Sequence, residues 1–577
     1  SEHGILNEDV FVTSGGDGFV ARVDPDDPNT IYSESQHGVI SRFDKRTGER
    51  IGIQPQEAKG DTALRWNWDT PYIISPHNSK RLYIAAQWVY RSDDRGNTWR
   101  KISGDLTRKI DRNKLAVMGK VWGPDAVAKN TSTADYSNIS ALQESPRKEG
   151  LLWVGTDDGL VQVSEDGGAN WRKIESFPGV PTDAYVTRIR PSNHDANVAY
   201  VTFSNHQNGD FKPYALKTTD LGRTWTSITG DLPTRGGVFA INEDHVDPQL
   251  LFLGTEFAAW VSKNGGTNWM KIPGVPTIKV ADIAIQKREN DLVLGTFGRG
   301  IWIVDDYTAW RQMNATTVAA AATLWPVRDA LLYVPTQRYG GGRNAFQGEM
   351  LYSGDNPAYG AWFTYSLKES IQTLRQKRTA AERAAERAGQ PIKYPTADEL
   401  RAEAAEEAPT MLLTISDESG KAIRQITGPT ARGLNRVAWD LRHASHQLTT
   451  ARPAADDDGG GFGGGANGPY VVPGKYSVTL AQRVGGVVTQ VAGPVSFNVT
   501  LDPTGGLTIA DHQARGRFQA QVRELQRQMT GVTQSATETS TKLDQIRRAL
   551  DQAPWAPAAL GTRVREQARR LAEIQRA

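Results

Sequence analysis

The sequence predicts a mainly β fold: blades of a β-propeller, then an immunoglobulin- or fibronectin-like β-sandwich, then a C-terminal helical segment. Three observations predict it. A short stretch occurs four times, as SDDRGNTW from Ser92, SEDGGANW from Ser164, TTDLGRTW from Thr218 and SKNGGTNW from Ser262. A second phrase, a proline turn followed by an apolar burst, recurs out of phase with it, and Pro25, Pro76, Pro146, Pro191 and Pro248 lie 45 to 70 residues apart. That spacing is near the length of a four-stranded blade with its loops, and units of this size bury their apolar faces only by stacking on neighbours. Beyond residue 350, β-rich runs return without the repeat, and from about residue 503 the periodicity becomes helical.

Bulk properties narrow the function classes. Lys plus Arg number 67 against 65 Asp plus Glu, with no basic block beside an aromatic platform, so no nucleic-acid partner is expected. The chain has no cysteine, which removes disulfides, thiolate metal sites and cysteine nucleophiles. No window approaches 18 consecutive apolar residues, so no membrane-spanning helix is expected. No signal peptide is evident, and the start at Ser1, soon before the strand-like run 9–13, reads as a mature or truncated beginning.

Residues 1–310 hold the blade-like units. Each reads strand, turn, strand, as in Leu151–Thr156, an Asp157-Asp158-Gly159 turn and Leu160–Ser164. An Asp-Gly turn between β-rich runs is a strong hairpin signal. The four-fold stretch follows the second strand, where the chain must reverse again. Gly supplies a positive φ there, Asp and Ser or Thr bond nearby amides, and Trp caps the blade. Six such units are expected, as the last part of a larger array whose amino-terminal propeller portion this chain does not contain.

Residues 311–350 read as a connector with an Ala-rich patch and the run Gly340–Gly342. Residues 351–502 read as the sandwich, with a charged helical insertion at 366–408 and a flexible Gly- and Asp-rich loop at 454–469. Three consecutive aspartates in that loop lack the spaced ligands of a calcium site. In the tail, 503–577, Phe518, Val522, Leu525, Met529 and Val532 step by 4, 3, 4 and 3, and Leu543, Ile546, Leu550, Leu560, Val564, Leu571 and Ile574 continue the stripe. A helical hairpin or three-helix tail is expected, broken at Pro554 and Pro557, with the stripe as core against the chain or a partner subunit.

The four stretches, Ser/Thr-x-Asp-x-Gly-x-Thr/Asn-Trp, resemble the Asp-box (BNR) repeats of sialidases, xyloglucan-cleaving glycosidases and sortilin-type receptors. The phrases WNWDTP at Trp66, GTDDGL at Gly155 and GTFGRGIWIVDD at Gly295 resemble more closely large bacterial exported proteins described as sortilin-like or glycosyl-hydrolase-like repeat proteins. The resemblance implies a secreted or periplasmic location. It also implies that the box residues are structural and lie at the blade periphery: Ser92, Asp94, Gly96 and Trp99; Ser164, Asp166, Gly168 and Trp171; Thr218, Asp220, Gly222 and Trp225; Gly266 and Trp269. The fourth copy departs from the pattern with Asn264 for Asp and Asn268 for Thr.

Glycosidase chemistry needs two carboxyl groups flanking a sugar bond. Asp69 in WNWDTP and Asp125 in WGPDA are the catalytic candidates, with Asp135, Asp157 and Asp158 behind them as turn formers. Trp66, Trp68 and Trp122 offer sugar-stacking faces, and Arg299, between two glycines, can reach a ligand or close the last blade through a salt bridge. A sialidase reading fails because the Arg-Ile-Pro entry phrase is absent. No metal-ligating histidine pattern, nucleophile elbow or phosphate loop is present, so neither metal nor cofactor is expected. The leading expectation is an exported, non-catalytic propeller that binds a protein or glycan ligand. The alternatives are a glycoside hydrolase with paired aspartates and a structural subunit of a surface assembly joined through the C-terminal helices.

Overall fold

The structure is a computed structural model, and it describes residues 11–127, 135–335, 357–445, 468–503 and 505–576. The chain divides between Arg311 and Gln312 into two compact units. No helix among the described residues is long and apolar enough to cross a membrane.

The first unit is six antiparallel meanders in sequence order, at 21–52, 72–101, 139–174, 185–227, 238–271 and 280–304. The first five have four strands each and the sixth has three. The middle strands of the inner sheets are β-branched and aromatic runs buried on both faces, such as Leu152–Thr156 and Ala199–Asn205, because these sheets have a neighbour on each side. One apolar cluster joins each consecutive pair of sheets. Trp153 and Val163 of the third sheet, for example, pack with Val201 and Phe203 of the fourth. The other four clusters join sheets one to two, two to three, four to five and five to six. The first strands of all six sheets reach one common recess, which gives the unit a propeller-like, radial arrangement.

Both repeated phrases act as links between neighbouring sheets. In the first stretch Ser92 Oγ donates to Asp94 Oδ1 (2.8 Å) and accepts from Gly96 N (2.8 Å), while Thr98 N and Oγ1 donate to the two Asp94 oxygens (2.9 and 2.7 Å). Ser164 and Asp166, Thr218 and Asp220, and Ser262 and Asn264 repeat the pattern. Asn264 keeps it because its amide oxygen still accepts from Asn268 N (2.9 Å).

The glycine is required twice over. Gly96, Gly168, Gly222 and Gly266 have φ between +79° and +100°, and a Cβ on each would strike Ile53, Ile102, Ile174 and Ile228 respectively at 2.6 to 2.9 Å. Three of these isoleucines stand three residues after the tryptophan of the preceding stretch, so each stretch builds the socket for the next. Trp99 and Trp269 also donate Nε1 to the carbonyls of Ile53 and Ile228 (2.7 and 2.8 Å). The proline phrases hook forward in the same way. His77 Nε2 lies 2.8 Å from Ser145 O, and His194 Nε2 lies 2.8 Å from Asp244 O.

The second unit is built on two sheets that share one core. Strands Ala322–Leu324, Ala361–Leu367 and Gly433–Trp439 form one, and Ala330–Leu332, Thr410–Asp417, Ala422–Gly428, Gly474–Val484 and Val487–Leu501 form the other. Phe363 and Trp439 of the first sheet pack edge-on against Phe497 of the second. Two of these strands, at 322–324 and 330–332, lie in the stretch read as connector; they were missed because three residues carry no period. The insertion folds as helices Leu374–Arg387 and Ala397–Ala405, each opened by a threonine capping box. Most of the expected 454–469 loop and part of the connector lie outside the described residues.

The tail is a hairpin of helices Ile509–Asp551 and Ala558–Arg576. Its stripe is not core. Neither helix has a buried residue, and Phe518 and Leu525 are 66% and 60% exposed. Leu543, Leu550, Val564 and Leu571 of the stripe are half-buried, whereas the run with Phe518, Leu525, Met529 and Val532 stays exposed.

Candidate functional site

The common recess has a volume of about 360 Å³, at the lower end of the roughly 300–1,000 Å³ typical of ligand pockets. Beside it is a wider recess of about 920 Å³. The two share Tyr185 and Gln207 in their walls.

Asp69 reaches the first recess from the loop that leads into the second sheet. Asn67 sets that loop: its Oδ1 accepts from Asp69 N (3.1 Å), its carbonyl accepts from Thr70 Oγ1 (2.8 Å), and its Nδ2 donates to Asn138 Oδ1 (2.7 Å) and Tyr185 Oη (3.1 Å). Asp69 is open to the recess yet hemmed in by protein, and this desolvation raises its pKa above the ordinary carboxylate value. The Arg188 guanidinium pulls the other way, and the Asp282 carboxylate adds to the rise. Asp282 itself is largely exposed and ion-paired with Arg188 Nη2 at 3.2 Å. One carboxyl whose pKa is raised thus stands beside an ion-paired one, and two carboxyl groups in unlike environments are what acid–base catalysis needs.

Two groups that feel the charges of the recess, without lining it, carry no motif. Glu34, 2% exposed, has no hydrogen-bond partner for either side-chain oxygen, and burial, followed by the Asp69 charge, pushes its pKa up to about 9. Arg190 is lowered to about 10, first by burial and then by Arg188. The signal that points to Glu34 is its phase: it is an ionisable residue within Thr30–Ser35, a strand buried along its whole length.

The wider recess holds Asp157, which is buried, accepts from Asn138 N (2.9 Å) and is raised well above its ordinary value by burial, with the Asp158 charge adding to it. Asp158 is fully used, accepting from Thr156 Oγ1 (2.6 Å) and Arg108 N (2.8 Å). Trp122 forms part of this wall with Lys120 Nζ 3.6 Å over its ring. Asp125 is exposed, and its neighbour Ala126 lines the same wall. Asp135 pairs with Arg112 at 3.3 Å.

The remaining sequence candidates lie elsewhere. Trp66 stacks over Gly38 beside the cluster between the first two sheets, and Trp68 meets His37 edge-on at 4.9 Å. Arg299 is exposed, has no ion pair among the described residues, and accepts from Trp302 Nε1 through its carbonyl (3.0 Å). The box aspartates are spent in their turns. Hydrogen bonds from Asn170 and Thr224 hold Asp166 and Asp220 down to about 2. No cluster of metal-binding side chains is found among the described residues.

No family model matches the chain. An oligoxyloglucan-reducing end-specific xyloglucanase of Emericella nidulans is 30% identical over 319 residues, covering 46% of this chain and 38% of that protein. The xyloglucanase Xgh74A of Acetivibrio thermocellus is 23% identical over 344 residues, covering 52% of this chain and 38% of its own length. The chain therefore spans less than two-fifths of these curated relatives. Among solved structures, an ancestral GH74 enzyme aligns at 15% identity over 52% of this chain and 37% of that one with a TM-score of 0.37, an overlay too loose to carry an argument. The relatives are named as xyloglucanases, which are enzymes and not binding proteins, and this overturns the expectation of a non-catalytic binding propeller.

Proposed function

We propose that the chain is a glycoside hydrolase acting on a polysaccharide at the two adjoining recesses, with Asp69 as the proton donor. The observation that carries the reading is the pairing of a raised Asp69 with an ion-paired Asp282 around Arg188. Asp69 protonates the departing glycosidic oxygen, and an ionised carboxylate assists water or the sugar cation. Two exposed carboxylates compete for that second role, Asp282 and Asp125; the shared Arg188 neighbourhood favours Asp282. Tyr185 and Trp122 supply apolar faces for sugar rings. A polymer too large to enter a cell fits a secreted or periplasmic location.

The names of the relatives support the reaction class. We read the four stretches as Asp-box turns of a propeller over 1–310, residues 351–502 as an immunoglobulin- or fibronectin-like sandwich and 503–577 as a helical tail. Release of reducing ends from a panel that includes xyloglucan tests the activity. The expected result is cleavage of at least one polymer, with Asp282→Asn costing more than Asp125→Asn. No cleavage of any polymer overturns the reading.

The exposed stripe on Ile509–Asp551 supports assembly through a second copy. Its apolar positions keep a seven-residue repeat from Phe518 to Val532, and the flanking Gln519, Gln521, Gln526 and Gln528 are uncharged, so identical seams meet without repulsion. Sedimentation should show a dimer that Leu525→Glu dissociates; a wild-type monomer at tens of micromolar contradicts it.

A further inference from the structure

The wall of the first recess is cationic. Arg22, Arg188 and Lys279 line it against one carboxyl, Asp69, so cations outnumber carboxylates in the wall. Arg22 and Lys279 are held by contacts that leave their charge unmatched, while Arg188 is ion-paired and keeps one donor spare. Arg22 donates Nε to the carbonyl of Tyr72 (3.2 Å) and lies 5.6 Å from that ring. Arg188 uses Nη2 for the carbonyl of Ala281 (3.3 Å) and for Asp282, while its buried Nε meets no acceptor. Lys279 Nζ sits 3.8 Å over the face of Phe239 and makes no ion pair among the described residues. Arg190, which feels the charges of Arg188 and Arg22, also has a buried Nε without an acceptor.

We infer that the recess recognises a carboxylate borne by a sugar, so that the polysaccharide taken by this chain contains uronic acid residues. A neutral glucan would leave Arg22 and Lys279, which have no ion pair among the described residues, facing hydroxyl groups. A planar carboxylate accepts two parallel bonds from a guanidinium and is attracted by the Lys279 ammonium of the same recess. Phe239 and Tyr72 flank those cations with flat apolar surface suited to the pyranose face. The inference concerns binding at the site proposed for hydrolysis, and it rests on that reading only for the word substrate.

Calorimetry on the whole chain with tetragalacturonate and with cellotetraose tests it. The acidic tetramer should bind at least ten-fold tighter at low salt, with an advantage that shrinks as salt screens the charges. Lys279→Met should lower affinity for the acidic tetramer several-fold and leave the neutral one unchanged, and Arg22→Gln should do the same if Lys279→Met fails to fold. Equal binding of the two tetramers overturns the inference, as does an acidic preference unmoved by both variants. Free galacturonate or phosphate binding as tightly as the tetramer also overturns it, because the site would then be one for small anions. Failure here with Asp69-dependent cleavage of a neutral glycan leaves the hydrolase reading standing. Tight acidic binding without any cleavage does the reverse.

Discussion

The repeated turns between the third and fourth strands, here the rim, and the recess reached by the first strands, here the axis, carry aspartates of opposite character. At the rim, Asp94, Asp166 and Asp220 each accept hydrogen bonds from the serine or threonine two residues earlier and from the residue four later, and all three pKa values are lowered. At the axis, Asp69, and Glu34 which feels its charge, have few or no partners, and both are raised. Repetition marks the groups that satisfy one another. The unrepeated groups are the ones left with unspent hydrogen-bonding and protonation capacity, and chemistry needs that capacity.

Removing a rim link should damage folding and spare the site. Trp269 is 5% exposed and bridges the fourth and fifth sheets, so Trp269→Ala should cost about 3–5 kcal/mol in chemical denaturation. Activity per folded molecule should be unchanged; a selective loss of rate would blur the distinction between rim and axis.

Glu34 tests the axis through pH. Its folded pKa of about 9 lies above the ordinary 4.5, so the folded state holds a proton that the unfolded chain has released. Stability contributed by that proton is present below pH 4.5 and falls as pH rises toward 9, by up to about 1.4 kcal/mol per unit. Glu34→Gln should therefore flatten the decline of melting temperature across that window and raise it at pH 8. A wild-type decline that survives the substitution would mean that Glu34 is ionised and paired.

A smaller effect concerns the rate profile. With Asp69 as the acid, kcat should fall on the alkaline side at a pH above that of an unperturbed carboxyl, and Lys279→Met, which removes a cation from the same wall, should move that limb further up. The least effect is expected at the rim. Asp220→Asn should alter neither melting temperature nor rate noticeably, because Asn264 already fills the equivalent place with the same two acceptor bonds.

Most of the sheet order was legible in the sequence, since the Asp158-Gly159 turn and the two out-of-phase phrases are local signals. The role of the isoleucine sockets was not, because Ile102 and its equivalents look like ordinary strand residues until the next glycine is placed against them. Asp69 stood out as a candidate through the WNWDTP loop. Its partners Arg188, Tyr185 and Asp282 did not, because they come from the fourth and sixth sheets and meet only when the ring of sheets is assembled. Trp66 and Trp68 share the loop with Asp69 but belong to packing against Gly38 and His37, a division that strand alternation alone does not reveal. The helical stripe was legible as a face and misread as core, since period reports amphipathicity and not what covers it.

The central claim is that function resides at the axis and not in the repeated rim. Initial rates of Asp69→Asn and Asp220→Asn, compared on the polysaccharide that the unaltered chain cleaves fastest, test it most directly. A loss of about 10²–10⁴-fold for Asp69→Asn, with Asp220→Asn within about two-fold of the unaltered chain, is the predicted result. Equal rates for the two variants would contradict it.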